Sequence, residues 1–307
     1  MAILTIENLS KNYKKIRALQ NISFVVPKGT VFGILGPNGS GKTTLLGIVM
    51  DILKASGGTY QWNGGLGSSD FRKKIGTLLE TPNFYHYMSA VDNLKIAARI
   101  KGSDEDDIPR VLEIVSLTQR KDSRFSTYSL GMKQRLAIAS TLLGDPEILV
   151  FDEPTNGLDP AGIAEIRELI KALNQKGKTI IMASHILDEV EKVCTHVAII
   201  QKGVLKTVGP VYELMKNAAG SEIVASQLIE LSAEDNGKLK ILLEQMNGIE
   251  SVADADKGLL VICPETITAA KINSYCFENG IILDKLNVKK KSLEMRFLEI
   301  TGNKSDK

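Results

Sequence analysis

The sequence predicts an α/β protein, with a largely parallel sheet covered by helices on both faces, followed by a smaller α+β unit. Three observations carry this. Short apolar runs of strand type at 31–35, 148–151, 179–182 and 197–200 are separated by segments of helical spacing. Strands that alternate with helices build a parallel sheet buried on both sides. The first of these runs leads directly into a glycine-rich loop and then an apolar helix, and after about residue 215 the pattern starts afresh.

The bulk properties limit the alternatives. A length of 307 residues fits about two domains. Apolar residues make up 43%, charged residues 24%, and the net charge is +2. That balance provides no broad basic field, so a nucleic-acid partner is not expected. The apolar runs fall far short of the ~20 residues that span a bilayer. The N-terminus shows no basic, apolar, small-residue leader, so a cytoplasmic chain is expected. Cys194, Cys263 and Cys276 are too scattered for a disulfide framework or a zinc site and are expected as buried thiols.

Taken in order, 5–8 and 22–26 read as strands and 27–29 as a turn. Leu45, Leu46, Ile48 and Val49 then form the inner face of a helix. Between about 90 and 143, Leu94, Ala97 and Ala98, then Val111, Leu112 and Val115, recur at helical spacing and predict a helical insert. A further helix starts where Asp159 precedes Pro160, an N-cap acid before a proline at the first helical position. In the tail, strands are predicted at 227–231, 249–253, 259–263 and 281–286, with helices at 234–246 and 265–278. This β-α-β-β-α-β order is that of a ferredoxin-like split unit, and a closing helix is expected over 292–299.

Gly36-Pro37-Asn38-Gly39-Ser40-Gly41-Lys42-Thr43-Thr44 satisfies G-x-x-x-x-G-K-[ST] between a strand and a helix. Glycines let the backbone curl around an anion with its N–H groups inward, and the helix adds its N-terminal dipole. Lys42 is placed to neutralise the β- and γ-phosphates and Thr43 to ligand Mg²⁺. A chance match in a glycine-rich turn is the competing account, and the flanking strand and helix argue against it. The chain is therefore expected to bind a nucleoside triphosphate.

Downstream, Asp152 and Glu153 follow the apolar strand 148–151, where α/β sheets line their ligand crevice. Asp152 would hold the Mg²⁺ hydration shell, and Glu153 would orient or deprotonate the attacking water. Alone, such a pair is often a solvated strand end; the upstream loop favours the functional reading.

The segments 36–44, 128–135 (Tyr-Ser-Leu-Gly-Met-Lys-Gln-Arg), 152–159 (Asp-Glu-Pro-Thr-Asn-Gly-Leu-Asp) and Ser184-His185 together resemble the ATP-binding subunits of ABC transporters, over about residues 2–210. The stretch 79–85 and the 128–135 segment look like exporter ATPases of the bacitracin and lantibiotic self-protection type. The resemblance implies a phosphate-loop NTPase core with an antiparallel N-terminal β subdomain and a helical subdomain at about 83–143. The domains would be an ATPase at 1–215 and an α+β accessory domain at 216–307.

It further implies a homodimer sandwiching two ATP molecules, each held by one subunit's phosphate loop and the other's signature segment. Ser129 and Gly131 would approach the γ-phosphate, from the start of a helix for which Ser129 is a good N-cap. His185 would polarise the γ-phosphate, Tyr13 would stack on adenine, and Asp159 would join the nucleotide site; a strand-end histidine or edge tyrosine is otherwise usually structural. Three positions depart from the family pattern: Glu80 replaces a glutamine, Leu130 a glycine and Met132 a glutamine. Glu80 can still contact Mg²⁺ or its water, although a carboxylate only accepts where glutamine also donates. Leu130 cannot adopt glycine-only angles, so a less close phosphate contact or a different turn is expected there.

The function so implied is the ATPase of an ABC exporter. It would work through a separate membrane permease and sit peripherally at the cytoplasmic face of the plasma membrane, with a docking surface around 80–98. Two rivals are an ABC-type ATPase acting on ribosomes or nucleic acid, and an importer ATPase with a regulatory tail. One phosphate loop, no sustained heptads and no cysteine pairs argue against the first, and the Glu80 loop and short tail against the second. Lys289-Lys290-Lys291 reads as a solvated face, with anionic lipid headgroups as the sharper option.

Overall fold

An antiparallel hairpin opens the chain: β1 (Ala2–Tyr13) pairs along its length with β2 (Ile16–Pro27). The computed structural model describes residues 1–63, 74–79, 83–215, 226–255, 258–264 and 266–289. They fall into two units, the first built on Met1–Val211 and the second on Tyr212–Glu299.

In β2, Ile22, Phe24 and Val26 are buried and alternate with exposed residues, the period-2 pattern of a sheet with one wet face. β4 (Gly57–Trp62) adds antiparallel to the other edge of β1, giving the order β2-β1-β4. Trp62 is buried, and its indole N–H donates to the Val49 carbonyl at 2.9 Å. That bond ties this sheet to the end of helix α1 (Lys42–Val49).

The second sheet of this unit has the order β5-β6-β7-β3-β8-β9. β3 (Val31–Leu35), β5 (Ile75–Leu78), β6 (Ile148–Asp152), β7 (Thr179–Ser184) and β8 (His196–Gln201) are parallel, and β9 (Val204–Pro210) closes the edge antiparallel. Every residue of β3, β6 and β7 is buried, so between their ends these strands read as apolar runs. One core, with Ile6, Phe24, Phe32, Leu45, Ile48 and Ile181, joins both sheets around α1. β4, β5 and β9 carry no clear sequence signal: β4 is largely exposed, β9 has no fully buried residue and β5 is four residues long.

The insert contains α2 (Ala90–Lys101), α3 (Ile108–Ile114) and α4 (Leu130–Leu142). Cations from the first two close the C-terminus of the third. Lys101 Nζ donates to the Thr141 and Leu143 carbonyls at 2.8 and 3.0 Å, and Arg110 Nη2 to the Leu142 carbonyl at 3.0 Å. Burial pulls the Lys101 ammonium down to about 8, against the opposing attraction of Asp107. Beyond the insert lie α5 (Pro160–Gln175), α6 (Leu187–Val193) and α7 (Val211–Met215).

In the second unit, β10 (Ser226–Ala233), α8 (Asn236–Glu244), β11 (Ser251–Ala255), β12 (Gly258–Pro264), α9 (Ala269–Glu278) and β13 (Leu283–Lys289) follow in turn. The sheet order β11-β12-β10-β13, antiparallel throughout, is the ferredoxin-like arrangement. Its own core holds Ile229, Leu231, Leu239, Val261, Ile272 and Cys276. The expected closing helix at 292–299, with Lys290 and Lys291, lies outside the described residues. All three cysteines are buried and free, and burial raises each thiol. No helix among the described residues is long and apolar enough to cross a membrane.

Candidate nucleotide site

β3 ends at Leu35, and the chain turns through residues 36–41 into α1. Gly36 is buried so tightly that a Cβ there would stand 2.2 Å from the Ile200 carbonyl and 2.6 Å from Ser40 Oγ. Gly41, the N-cap, has φ 108°, a left-handed conformation that a side chain would strain. It also leaves α1 with no side-chain cap and no acid in the first turn, so the helical N–H groups stay available to an anion. Pro37, Asn38 and Gly39 are exposed. Ser40 is buried, with its hydroxyl lacking a hydrogen-bond partner among the described residues. Thr43 is exposed and Thr44 half-buried on the first turn.

Lys42 is only 6% exposed. Its ammonium donates to the Gly36 carbonyl at 2.8 Å and the Pro37 carbonyl at 3.3 Å, and lies 3.3 Å from Glu153 Oε1. The other Glu153 oxygen, Oε2, accepts from the His185 backbone N–H at 3.3 Å and stands 2.9 Å from His185 Nδ1. Lys42, Glu153 and His185 thus form one polar chain at the C-terminal ends of β3, β6 and β7.

Glu153 has φ 49°, a conformation uncommon for a residue with a side chain, and its N–H is held by the Ala183 carbonyl at 3.0 Å. Its neighbour Asp152 is the last residue of β6 and buried. Ser184, to which sequence reasoning assigns no role, supports this corner. Its carbonyl accepts from the Gly36 N–H at 3.4 Å, and its hydroxyl from the Ile186 N–H at 3.0 Å.

The remaining predicted residues lie in other places. Ser129, Gly131 and Asp159 line a hollow of about 380 Å³ that no phosphate-loop residue lines. Ser129 Oγ caps α4 by accepting from the Met132 N–H at 3.3 Å, and Asp159 Oδ1 caps α5 by accepting from the Gly162 N–H at 2.9 Å. Leu130 is not among the residues with positive φ, so its place at the start of α4 asks for no glycine-only angle. Its side chain lies over the loop instead, with Cδ2 3.4 Å from where a Cβ on Gly157 would stand. Tyr13 sits at the tip of the β1–β2 hairpin, 41% exposed, with the Lys11 ammonium 4.9 Å from its ring centre. Glu80 lies outside the described residues.

Bare helical N–H groups beside a buried ammonium ask for an anion with several oxygens. The fold that presents them here is that of a phosphate-loop nucleotide-binding protein. Residues 19–156 match the family model described as ABC transporter. The chain is 38% identical to the ABC transporter ATP-binding protein YhcH of Bacillus subtilis, itself uncharacterized, over 98% of this chain and 96% of that one. It is 35% identical to the bacitracin transport ATP-binding protein BcrA of Bacillus licheniformis, over 98% and 97%. Among solved structures it resembles a dimeric ATP-binding cassette in a post-hydrolysis state with ADP and Pi, at TM-score 0.60 and 25% identity over 68% of this chain and 98% of that one. The chain belongs to the ABC transporter ATP-binding proteins: it binds nucleotide and is an ATPase coupled to transport. The ribosome and nucleic-acid alternative finds no support among these relatives.

Proposed function

We propose that the chain is the motor subunit of an exporter, in which two copies close head to tail around two ATP molecules and drive a separate membrane permease. The observation that carries this reading is the Lys42–Glu153–His185 chain, which puts a cation for phosphate, a base for water and an orienting ring at adjoining strand ends. In this reading the loop N–H groups of 38–43 hold the β- and γ-phosphates. The Lys42 ammonium exchanges its carbonyl and Glu153 contacts for phosphate oxygens. Glu153, released on that side, takes the proton of the attacking water as the bond between Pγ and the bridging oxygen breaks, leaving ADP and phosphate. His185, held through Nδ1, turns Nε2 toward the γ-phosphate.

The donor set also suits Mg²⁺: the Thr43 hydroxyl and the Asp152 carboxylate are hard oxygen ligands, on the first turn of α1 and at the end of β6. Bound there, Mg²⁺ would neutralise charge on the phosphate oxygens. Glu80 would add a carboxylate contact to that ion or its water. Tyr13 would stack on adenine. Ser129 and Gly131, at the capped start of α4, would face the γ-phosphate bound by the second copy, with Asp159 beside them; the dimeric relative with ADP and Pi supports this pairing.

The permease would dock on the insert around 80–98, where Tyr85 and Tyr87 stand exposed with ring centres 6.0 Å apart. It would hold the chain at the cytoplasmic face of the plasma membrane. The bacitracin transport relative favours export of a peptide antibiotic. The test is purification of the tagged chain from membranes, with ATP hydrolysis measured against bacitracin-type peptides. An integral membrane protein should co-purify and peptide should raise turnover; a chain recovered alone, with peptide-independent turnover, would overturn the export reading.

A further inference from the structure

The buried Glu189 takes no part in any motif. It lies in the first turn of α6, the helix that His185 leads into, and its carboxylate is 6% exposed. Its counter-ion is Arg167 on α5, the helix that Asp159 caps. Arg167 Nη1 stands 3.8 Å from Glu189 Oε1, too long for a hydrogen bond, and among the described residues Glu189 Oε2 has no hydrogen-bond partner. A buried carboxylate left short of donors is costly, and the cost falls if its arginine comes closer.

Helix α6 is packed tightly against the sheet. Val190 on α6 and Cys194 at its C-cap press on β3 so closely that a Cβ on Gly33 would stand 2.9 Å from Cys194 Sγ and 3.0 Å from Val190 Cγ1. At its start, the Ser184 hydroxyl holds the Ile186 N–H. A displacement of α6 therefore reaches His185 within two residues. The far end of the same linkage is the 154–159 loop, which leads into α5 and lines the hollow with Ser129 and Gly131.

We infer that Arg167 and Glu189 are positioning residues for ATP hydrolysis: their ion pair carries the placement of the 154–159 loop, through α5 and α6, to the His185 ring. The inference rests on the role proposed above for His185. Neither residue belongs to the phosphate loop or lines the hollow of Ser129 and Gly131, so the pair is expected to act on turnover and not on ATP affinity.

The experiment is steady-state hydrolysis by the full chain. Glu189→Gln and Arg167→Met should each lower kcat at least tenfold with KM for ATP within twofold, and Arg167→Lys should stay within threefold of the native rate. In a His185→Ala background, Glu189→Gln should cost less than a further twofold, because residues that act as one unit do not add. A normal kcat for Glu189→Gln, a raised KM, or an independent tenfold loss in the His185→Ala background would overturn the inference. If Glu189→Gln does not fold, the exchanged pair Arg167→Glu with Glu189→Arg decides, since turnover must recover above that of either single change. A His185→Ala chain with native turnover would instead overturn the role of His185 itself.

Discussion

One carboxylate oxygen of Glu153 serves His185 twice: Oε2 accepts from the histidine backbone N–H at 3.3 Å and lies 2.9 Å from the ring Nδ1. The opposite oxygen meets Lys42 at 3.3 Å, so the carboxylate proposed as general base is held on both sides. One side chain therefore links the Lys42 ammonium to the orientation of the His185 ring. Glu153→Gln keeps the shape and loses the proton acceptor. We expect ATP binding to persist, turnover to fall by about 10²- to 10⁴-fold, and closed dimer to accumulate with ATP on size-exclusion chromatography. Native hydrolysis by this variant would show that the base lies elsewhere.

Lys42→Met removes three contacts at once while nearly conserving volume. Charge-assisted hydrogen bonds contribute about 1.5–3 kcal/mol each, so loss of the phosphate contact should weaken ATP binding by roughly tenfold or more. Titration with a fluorescent ATP analogue measures this. Unfolding monitored in parallel should show some loss of stability, because the Glu153 carboxylate, 20% exposed, is left without its cation.

Asp159 is offered two roles, which substitution separates. As the cap of α5 it accepts from Gly162, and asparagine can replace it there. Asp159→Asn should therefore keep its stability while Asp159→Ala loses about 1 kcal/mol. If the carboxylate also serves the nucleotide site, both variants lose turnover; full activity in Asp159→Asn would leave it as a cap alone.

The buried Lys101 makes stability depend on pH in a set direction. Burial brings its ammonium down to about 8 in the folded chain, from the 10.5 ordinary for lysine. Between those values the unfolded state binds more protons, so this group's contribution to stability rises with pH. Below about 8 the ammonium is charged in both states and its desolvation cost is constant. Denaturant unfolding of native chain and Lys101→Met at pH 7.5 and pH 10 should thus show the native chain gaining on the variant, by on the order of 1–3 kcal/mol. A difference independent of pH would mean that the amine is solvated.

Much of this was legible in the sequence, for physical reasons that differ by element. The phosphate loop is readable because its backbone leaves few choices: only glycine fits at Gly36 and suits the φ of Gly41. β3, β6 and β7 are readable because strands buried on both faces are apolar between their ends, with Asp152, Thr179 and Ser184 only at the termini. The tail's strand and helix order is likewise visible in its alternation, which places Ile229, Leu231 and Val261 inside. β4 and β9 are hidden because sheet edges and exposed strands carry mixed residues. The left-handed backbone of Glu153 and its bond to Lys42 escape notice because they depend on how distant segments meet. Arg167 and Glu189 escape for the same reason, each looking like an ordinary charged residue on an amphipathic helix.

Trp62, fastened to the Val49 carbonyl, is the chain's single tryptophan, and it stands in the first unit. Light excited at the red edge of the aromatic band therefore reports on that unit alone. The 212–299 unit, which carries Tyr212 and Tyr275 but no indole, is dark in that channel. Emission and far-ultraviolet dichroism recorded together thus separate the melting of the two units without a label: a dichroism step with unchanged emission belongs to the tail.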